Sequence, residues 1–328
     1  MHKKVLNFFY IYKMLPVAIL IFLISALVNP GFLSKGSISA ALFDIAIFGF
    51  LFIGQALVVL TAGIDLSMGS IASTATVIAV WVMIKLVGLV PDNINILISF
   101  LSTILVCGII GFMSGIFISY LKITPLIATL GTSWITLGIG YVLLKGNPTI
   151  FPIAKFSQIF TSKITFIPVA FILLIILIII LLFIMNNFKM GRSVYAVGGN
   201  VYAAYISGIK VNWIFIWVYT ISSIMSAIAG IFIAGYSKVG FPRAATGYEL
   251  IAIASVIMGG IPFTGGEGNL LNGLFAVFVL RFLNKLIIFS GLSGYIEGII
   301  LGFIILITLL LNSNINLNKF LFKSSKKI

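Results

Sequence analysis

The sequence predicts an all-α fold: a polytopic membrane helix bundle of about ten crossing segments (eight to ten), with helices broken near 62–69 and 259–268. Three observations predict it. Of the 328 residues, 61% are hydrophobic and 8% charged, a balance that cannot supply the charged surface of a soluble domain of this size. The apolar residues are gathered into runs close to the roughly 20 residues that a bilayer crossing requires. Sixteen of the 20 basic residues fall outside those runs, in the turns between them or at the two ends of the chain.

Ten runs are legible, at 14–34, 38–61, 67–85, 96–120, 123–145, 164–187, 213–235, 248–260, 268–289 and 293–311. The first follows Lys3, Lys4 and Lys13 and imitates a secretory leader. The small-residue site around Ser25 is weak, so the run is read as a retained span. The same lysines place the N-terminus on the cytoplasmic side, and Lys319, Lys323, Lys326 and Lys327 do so for the C-terminus. An even number of crossings satisfies both ends. Six crossings before Lys189, Arg192 and Lys210 put that basic loop, about 188–212, inside as well. The run at 248–260 is too short to cross alone and reads as a half-helix or re-entrant piece. The loop at 146–163 then lies outside. Its Phe151, Phe156 and Phe160 read as an interfacial aromatic belt or as a docking rim for an external partner. From Asn312 the chain is polar, rich in Asn and Lys, and reads as a frayed tail.

The net charge of +14 reads as positive-inside signal and contact with membrane lipid headgroups. Nucleic acid is not an expected partner, since no basic domain stands apart from the apolar runs. Cys107 is the single cysteine, which excludes an intramolecular disulfide and a multi-cysteine metal site. His2 is the single histidine, so no Ser/His/Asp set forms and no catalytic or metal residue is assigned. No GxxxxGK[ST] phosphate loop occurs; if ATP drives this protein, another chain hydrolyses it.

Two glycine-rich interruptions stand out. In TAGIDLSMGS, residues 61–70, Gly63 and Gly69 let the backbone break and turn, and Asp65 is one of only six acids in the chain. A carboxylate in the membrane costs about 2.5–3.5 kcal/mol. Two roles suit Asp65: capping the helix that begins near Ser67, or a polar contact along a pathway. In GGIPFTGGEGNLLN, residues 259–272, Pro262 with Gly260, Gly265 and Gly266 forbids a continuous helix in lipid, so this stretch must face protein, water or the cytosol. Glu267 precedes the next apolar helix, where a carboxylate suits the positive helix end, or belongs to a plain cytosolic turn. The two interruptions align as a weak repeat, 62–69 on 259–266, which points to a pathway near the membrane midplane. Glu249 and Glu297 lie in or beside apolar helices, with Arg243, Arg281 and Lys285 as available partners.

Close packing is announced by Gly111 and Gly115, by Ser226 and Gly230, and by Gly294, Gly298 and Gly302, each at four-residue spacing. Thr129, Thr132, Ser133 and Thr136 follow Pro125 inside one apolar helix. They serve either interhelical hydrogen bonds or a polar lining for a hydroxylated solute. Between the two long halves, GRSVYAVGGNVYAAYISGIKV carries a short, nearly uncharged stretch. Asn200 suits its N-cap and Gly208 its C-terminal left-handed residue. An apolar helix in the water-facing part of a membrane protein needs a cover, either lipid headgroups or a protein groove.

Taken in order, TAGIDLSMGS, TPLIATLGT, GRSVYAVGGNVYAAYISGI and YELIAIASVIMGGIPFTGGEGNLLNG resemble the permease subunits of bacterial ABC importers for ribose, xylose, arabinose and galactosides, over roughly residues 40–310. The resemblance implies a single transmembrane permease domain, 1–328, in the bacterial cytoplasmic membrane, moving a monosaccharide inward. It implies a second permease copy (identical or paralogous), an extracytoplasmic sugar-binding protein, and a separate ATPase subunit that holds ATP and Mg; this chain binds no cofactor. It carries the ATPase-coupling role onto Gly199, Asn200, Ala203, Ala204, Ser207, Gly208 and Ile209. Pathway or hinge roles go to Gly63, Asp65, Ser67, Gly69, Thr129, Thr132, Gly260, Gly265, Gly266 and Glu267. Nucleosides, autoinducer-type sugars and branched-chain amino acids are alternative solutes, and an ion-coupled secondary transporter is the rival class. The sequence departs from the family where Val201 and Tyr202 replace an acidic pair, where Tyr205 and Ile206 replace a basic residue, and where Ala62 replaces Gly. An ATPase contact through this helix should therefore depend more on packing than on salt.

Overall fold

The computed structural model describes residues 12–293 and 295–312. Thirteen helices are found among them. They are α1 (Met14–Val28), α2 (Lys35–Leu60), α3 (Met68–Leu86), α4 (Asp92–Ser119), α5 (Pro125–Leu144), α6 (Ala154–Phe160), α7 (Val169–Asn187), α8 (Lys189–Gly199), α9 (Val201–Ile206), α10 (Val211–Ser237), α11 (Tyr248–Met258), α12 (Leu270–Phe289) and α13 (Tyr295–Asn312). Each of the ten apolar runs forms a helix at its expected place. Seven of these helices are long and apolar enough to cross a membrane; α1, α11 and the described part of α13 are shorter.

Side-chain and backbone neighbours give the direction of each pass. Tyr12 meets Phe275 and Phe22 meets Phe282, so α1 and α12 run parallel. Lys285 pairs with Asp44 at 2.8 Å while Gly273 lies against Phe52, so α2 runs antiparallel to α12. Gly111 and Gly115 press onto Tyr219, Ser223 and Ile216, setting α4 antiparallel to α10, and Gly230 sits on Ala72 of α3. These small residues remove the side chains that would hold the helices apart. Gly298 and Gly302, by contrast, meet nothing within 4 Å, and Gly294 lies outside the described residues. The centre of the bundle is α2 and α10, buried for most of their length.

The half-helix expected at 248–260 is α11, Tyr248–Met258, 11 residues long, about 16 Å at 1.5 Å per residue. Its approach completes the crossing. From Gly240 to Glu249 the chain descends along α3, with Gly240 on Val80, Phe241 N–H donating to Thr76 Oγ1 (2.9 Å), Ala245 N–H donating to Ser73 Oγ (2.9 Å) and Glu249 over Gly69. A non-helical segment at this depth is tolerable because its backbone is satisfied partly by its own turns (Ala244 N–H to Phe241 O, Tyr248 N–H to Ala245 O) and partly by α3 hydroxyls.

The aromatics of 146–163 form neither a lipid-facing belt nor a docking rim. Phe151 stacks on Phe156 at 4.3 Å, Phe156 contacts Phe160, and Phe160 packs edge-on against Phe232 of α10. The spacing of Phe156 and Phe160 puts both rings on one face of the short α6, and burying them outweighs leaving them at the interface. This loop is tied to the start of the descending segment by β1 (Thr149–Ile150), which pairs antiparallel with β4 (Val239–Gly240). Between them β2 (Lys163–Ile164) and β3 (Ile167–Pro168) make a small hairpin. The lysines that set the chain ends, apart from Lys13, and the polar tail beyond Asn312 lie outside the described residues.

A methyl group on Gly115 would lie 2.5 Å from the Cα of Ile216, whereas Gly131 faces open space. Gly115→Ala should cost about 1–3 kcal/mol by overpacking, read as a lower thermal unfolding midpoint of the detergent-solubilised protein, with Gly131→Ala unchanged.

Candidate functional site

Helix α9 has the ends its sequence predicts. The Asn200 side chain accepts from Ala203 N–H at 2.8 Å. At the other end Gly208 N–H bonds Tyr205 O and Ile209 N–H bonds Ala204 O, with Gly208 at φ +80, the paired closure that favours glycine. Two faces result. Tyr202, Tyr205 and Ile206 are 73%, 68% and 65% exposed, while Ala204 is 4% exposed and joins the main core. Ala204 is therefore not on the outward face: with only six residues, the helix can rest on the bundle through one small side chain alone. Gly199, Asn200, Ala203, Ser207 and Gly208 are exposed and Ile209 is half-buried. The outward residues Val201, Tyr202, Tyr205 and Ile206 follow the i, i+4 pattern, a signal present in the sequence that composition alone hides.

Helix α8 leads directly into this feature, and its last turn touches both backbone interruptions. A methyl group on Gly198 would fall 1.8 Å from the Leu60 carbonyl oxygen and 2.5 Å from Gly266 N. Gly266 N–H donates to that same Leu60 oxygen at 3.0 Å, and Gly265 lies against Ala62. Tyr195 Oη, a turn earlier in α8, contacts the Gly268 oxygen at 3.4 Å; partial burial pushes its phenol pKa up, so it remains a donor. Three segments thus meet through bare backbone: the end of α2, the 259–269 loop and the end of α8. Ala62 turns the chain there at φ +58, a left-handed conformation costing about 1–2 kcal/mol in a residue with a Cβ.

The two interruptions fall between consecutive helices, α2–α3 and α11–α12, and lie against each other. The first reverses at Leu60–Gly63 and climbs back to Met68, which sits beside Gly54. On that climb Asp65 is buried. Its Oδ1 accepts from Ser67 N–H (2.9 Å) and Ser67 Oγ (2.6 Å), and its Oδ2 from Ser222 Oγ of α10 (2.6 Å). Gly63 and Gly69 stand at the two ends of the climb; Gly63 lets Tyr219 approach and Gly69 lets Glu249 approach. Glu267 does not cap α12. It is exposed, and Asn269, whose shorter side chain directly precedes the helix, accepts from the N–H groups of Leu271 and Asn272. Gly260 turns the loop at φ +82.

Two α5 hydroxyls and one α5 carbonyl are engaged with other segments, while the Thr136 hydroxyl donates to Thr132 O within the helix. Thr129 Oγ1 receives Leu66 N–H at 3.2 Å, Thr132 Oγ1 lies 2.8 Å from Ser114 Oγ, and the Thr136 carbonyl receives Thr74 Oγ1 at 2.8 Å. Glu297 accepts from Arg281 and Asn284, so Arg281 is the partner of Glu297, and Glu249 makes no ion pair among the described residues. No group of three or more His, Cys, Asp or Glu is placed to hold a metal among the described residues.

Residues 37–309 match the family described as branched-chain amino acid transport system / permease component. The chain belongs to this permease family. It is similar to the ribose import permease proteins RbsC of Haemophilus influenzae (31% identity over 305 residues, 92% of each chain) and of Bacillus subtilis (31% over 299 residues, 90% of this chain and 89% of that one). It is also similar to the galactose/methyl galactoside import permease protein MglC of Escherichia coli (30% identity, 93% of each chain). No solved structure matches it. The permease is accordingly a multi-pass transport component of the bacterial cytoplasmic membrane, not an enzyme.

In this permease Asp65 joins the first turn to α10. Asp65→Ala should leave the Ser222 and Ser67 groups without an acceptor, costing about 1–3 kcal/mol for each buried group. Asp65→Asn keeps one acceptor oxygen and should lose less. The order of thermal unfolding midpoints of the purified proteins, wild type above Asn above Ala, tests this.

Proposed function

We propose that this chain lines the pathway of an ABC importer that brings ribose or a related monosaccharide into the cytoplasm, and that α9 is the coupling element received by a groove of a separate ATPase subunit. The observation that carries the reading is the exposed apolar face of α9 on a stem, α8, whose last turn lies in backbone contact with both interruptions. An apolar face of this kind needs a cover. A groove on an ATPase supplies one, and motion of that groove reaches the spans without any flexible link. ATP and Mg belong to that subunit. The 188–212 loop is the coupling loop of one permease domain over 1–328, a second copy completes the pathway, and an extracytoplasmic sugar-binding protein delivers the solute.

A sugar is favoured because the relatives are named for ribose, allose and galactosides. The family description itself names branched-chain amino acids, which keeps an amino acid as the second reading. Vesicles holding the permease and its ATPase, supplied with the cognate binding protein, should take up labelled ribose or a close relative only with internal ATP. Uptake that follows a proton or sodium gradient without the ATPase would overturn the reading.

Two mutations test the coupling face. Tyr205→Glu and Ile206→Asp should each weaken ATPase pull-down by about 2 kcal/mol, the scale of an interface anchor, while membrane insertion is unchanged. Ala204→Arg should instead destabilise the permease itself. Gly198→Ala, which strains the junction rather than the outer face, should retain the ATPase and lose most ATP-driven uptake.

A further inference from the structure

Beside α9, a cleft of about 440 Å³ opens between the end of α4 and the start of α10. Tyr120, Tyr205, Lys210, Asn212 and Trp213 line it. Lys122 stands at its edge, its Nζ donating to Asn212 Oδ1 at 3.5 Å, too long to engage the ammonium fully. Both lysines are exposed, and neither pairs with a carboxylate among the described residues. The imbalance is general to this part of the chain: nine basic residues and no acid lie between Asp92 and Glu249.

The geometry points to a binding site for the headgroup of an anionic phospholipid in this cleft. Its phosphate would sit between the Lys122 and Lys210 ammonium groups, with the Asn212 amide as a further donor. Its acyl chains would follow α4, whose Leu105, Ile109, Phe112 and Met113 are exposed and lead toward Tyr120. Tyr120 and Trp213, both more than half exposed at helix ends, are the amphipathic rings that settle at a headgroup boundary. Basic pockets between spans on the cytoplasmic side suit such headgroups. A carboxylate of the ATPase is the less suitable occupant, because the outward face of α9 that meets the ATPase is apolar and carries no cation. The site rests on the proposed reading only for its cytoplasmic side. Since Tyr205 forms one wall, occupancy also braces the coupling helix.

The test uses the intact permease purified in mild detergent, supplied with phosphatidylglycerol or phosphatidylcholine and read by native mass spectrometry. Phosphatidylglycerol should be retained over phosphatidylcholine. The Lys122→Gln/Lys210→Gln double variant should lower its apparent affinity by about thirtyfold, at about 1 kcal/mol for each lysine near the surface. Raised salt should weaken retention in the same direction. Equal retention of both lipids, or retention of phosphatidylglycerol unaltered by the double variant, overturns the site. Loss of ATPase pull-down in that variant with lipid retention unaltered assigns the lysines to the ATPase instead, and also overturns it. Lipid retention is read without ATP, sugar or ATPase, so its failure is distinct from a failure of the importer reading.

Discussion

The approach of bare backbone at Gly198, Gly265 and Gly266 to Leu60 and Ala62 is the constraint on which the working parts depend. No side chain fits there: a Cβ on Gly198 would overlap a carbonyl oxygen, and one on Gly266 would lie 2.6 Å from the Gly199 backbone. Contacts of this kind have no rotamers to absorb displacement, so a shift of α8 is passed on or resisted as a unit. The Gly266–Leu60 hydrogen bond fixes the 259–269 loop to the end of α2 at the point where α8 arrives. The three segments otherwise belong to different parts of the chain.

From that junction, polar links run inward. The turn at Ala62 leads within three residues to Asp65, which holds α3 through Ser67 and α10 through Ser222. The neighbouring backbone of Leu66 is received by Thr129 of α5. A carboxylate is costly at such depth, and three hydrogen bonds to it at short range compensate that cost. The same logic explains the descending turns at 240–249. Lipid offers no partners for a non-helical backbone; the turns bond within themselves, and the α3 hydroxyls of Ser73 and Thr76 accept from two further N–H groups. Hydroxyl residues here do the work that water does at a soluble surface.

Much of this was legible in the residues themselves. Apolar runs of the right length marked the helices, because lipid punishes any exposed backbone. Asn200 and Gly208 marked the ends of α9, because capping is a local matter of side-chain reach and φ. Other features turned on contacts that the local sequence does not name, or on loop geometry within a few residues. The aromatics of 146–163 carry the composition of an interfacial belt, yet Phe232, more than seventy positions away, offers them a buried partner. Ala204 reads like its neighbours in the coupling segment, yet it faces the core. Glu267 was a reasonable cap until the loop geometry gave that place to Asn269.

By itself the sequence determined the membrane class, the number and place of the apolar helices, the presence of two interruptions and the caps of the short helix. Each of these follows from burial in lipid or from backbone geometry within a few residues. Only the tertiary structure decided that the interruptions lie against each other, that the stem of α9 rests on both, and which face of α9 looks outward. Those facts depend on segments about 60, 200 and 260 positions along the chain meeting through glycines. A glycine announces that a close approach is permitted but does not name what approaches.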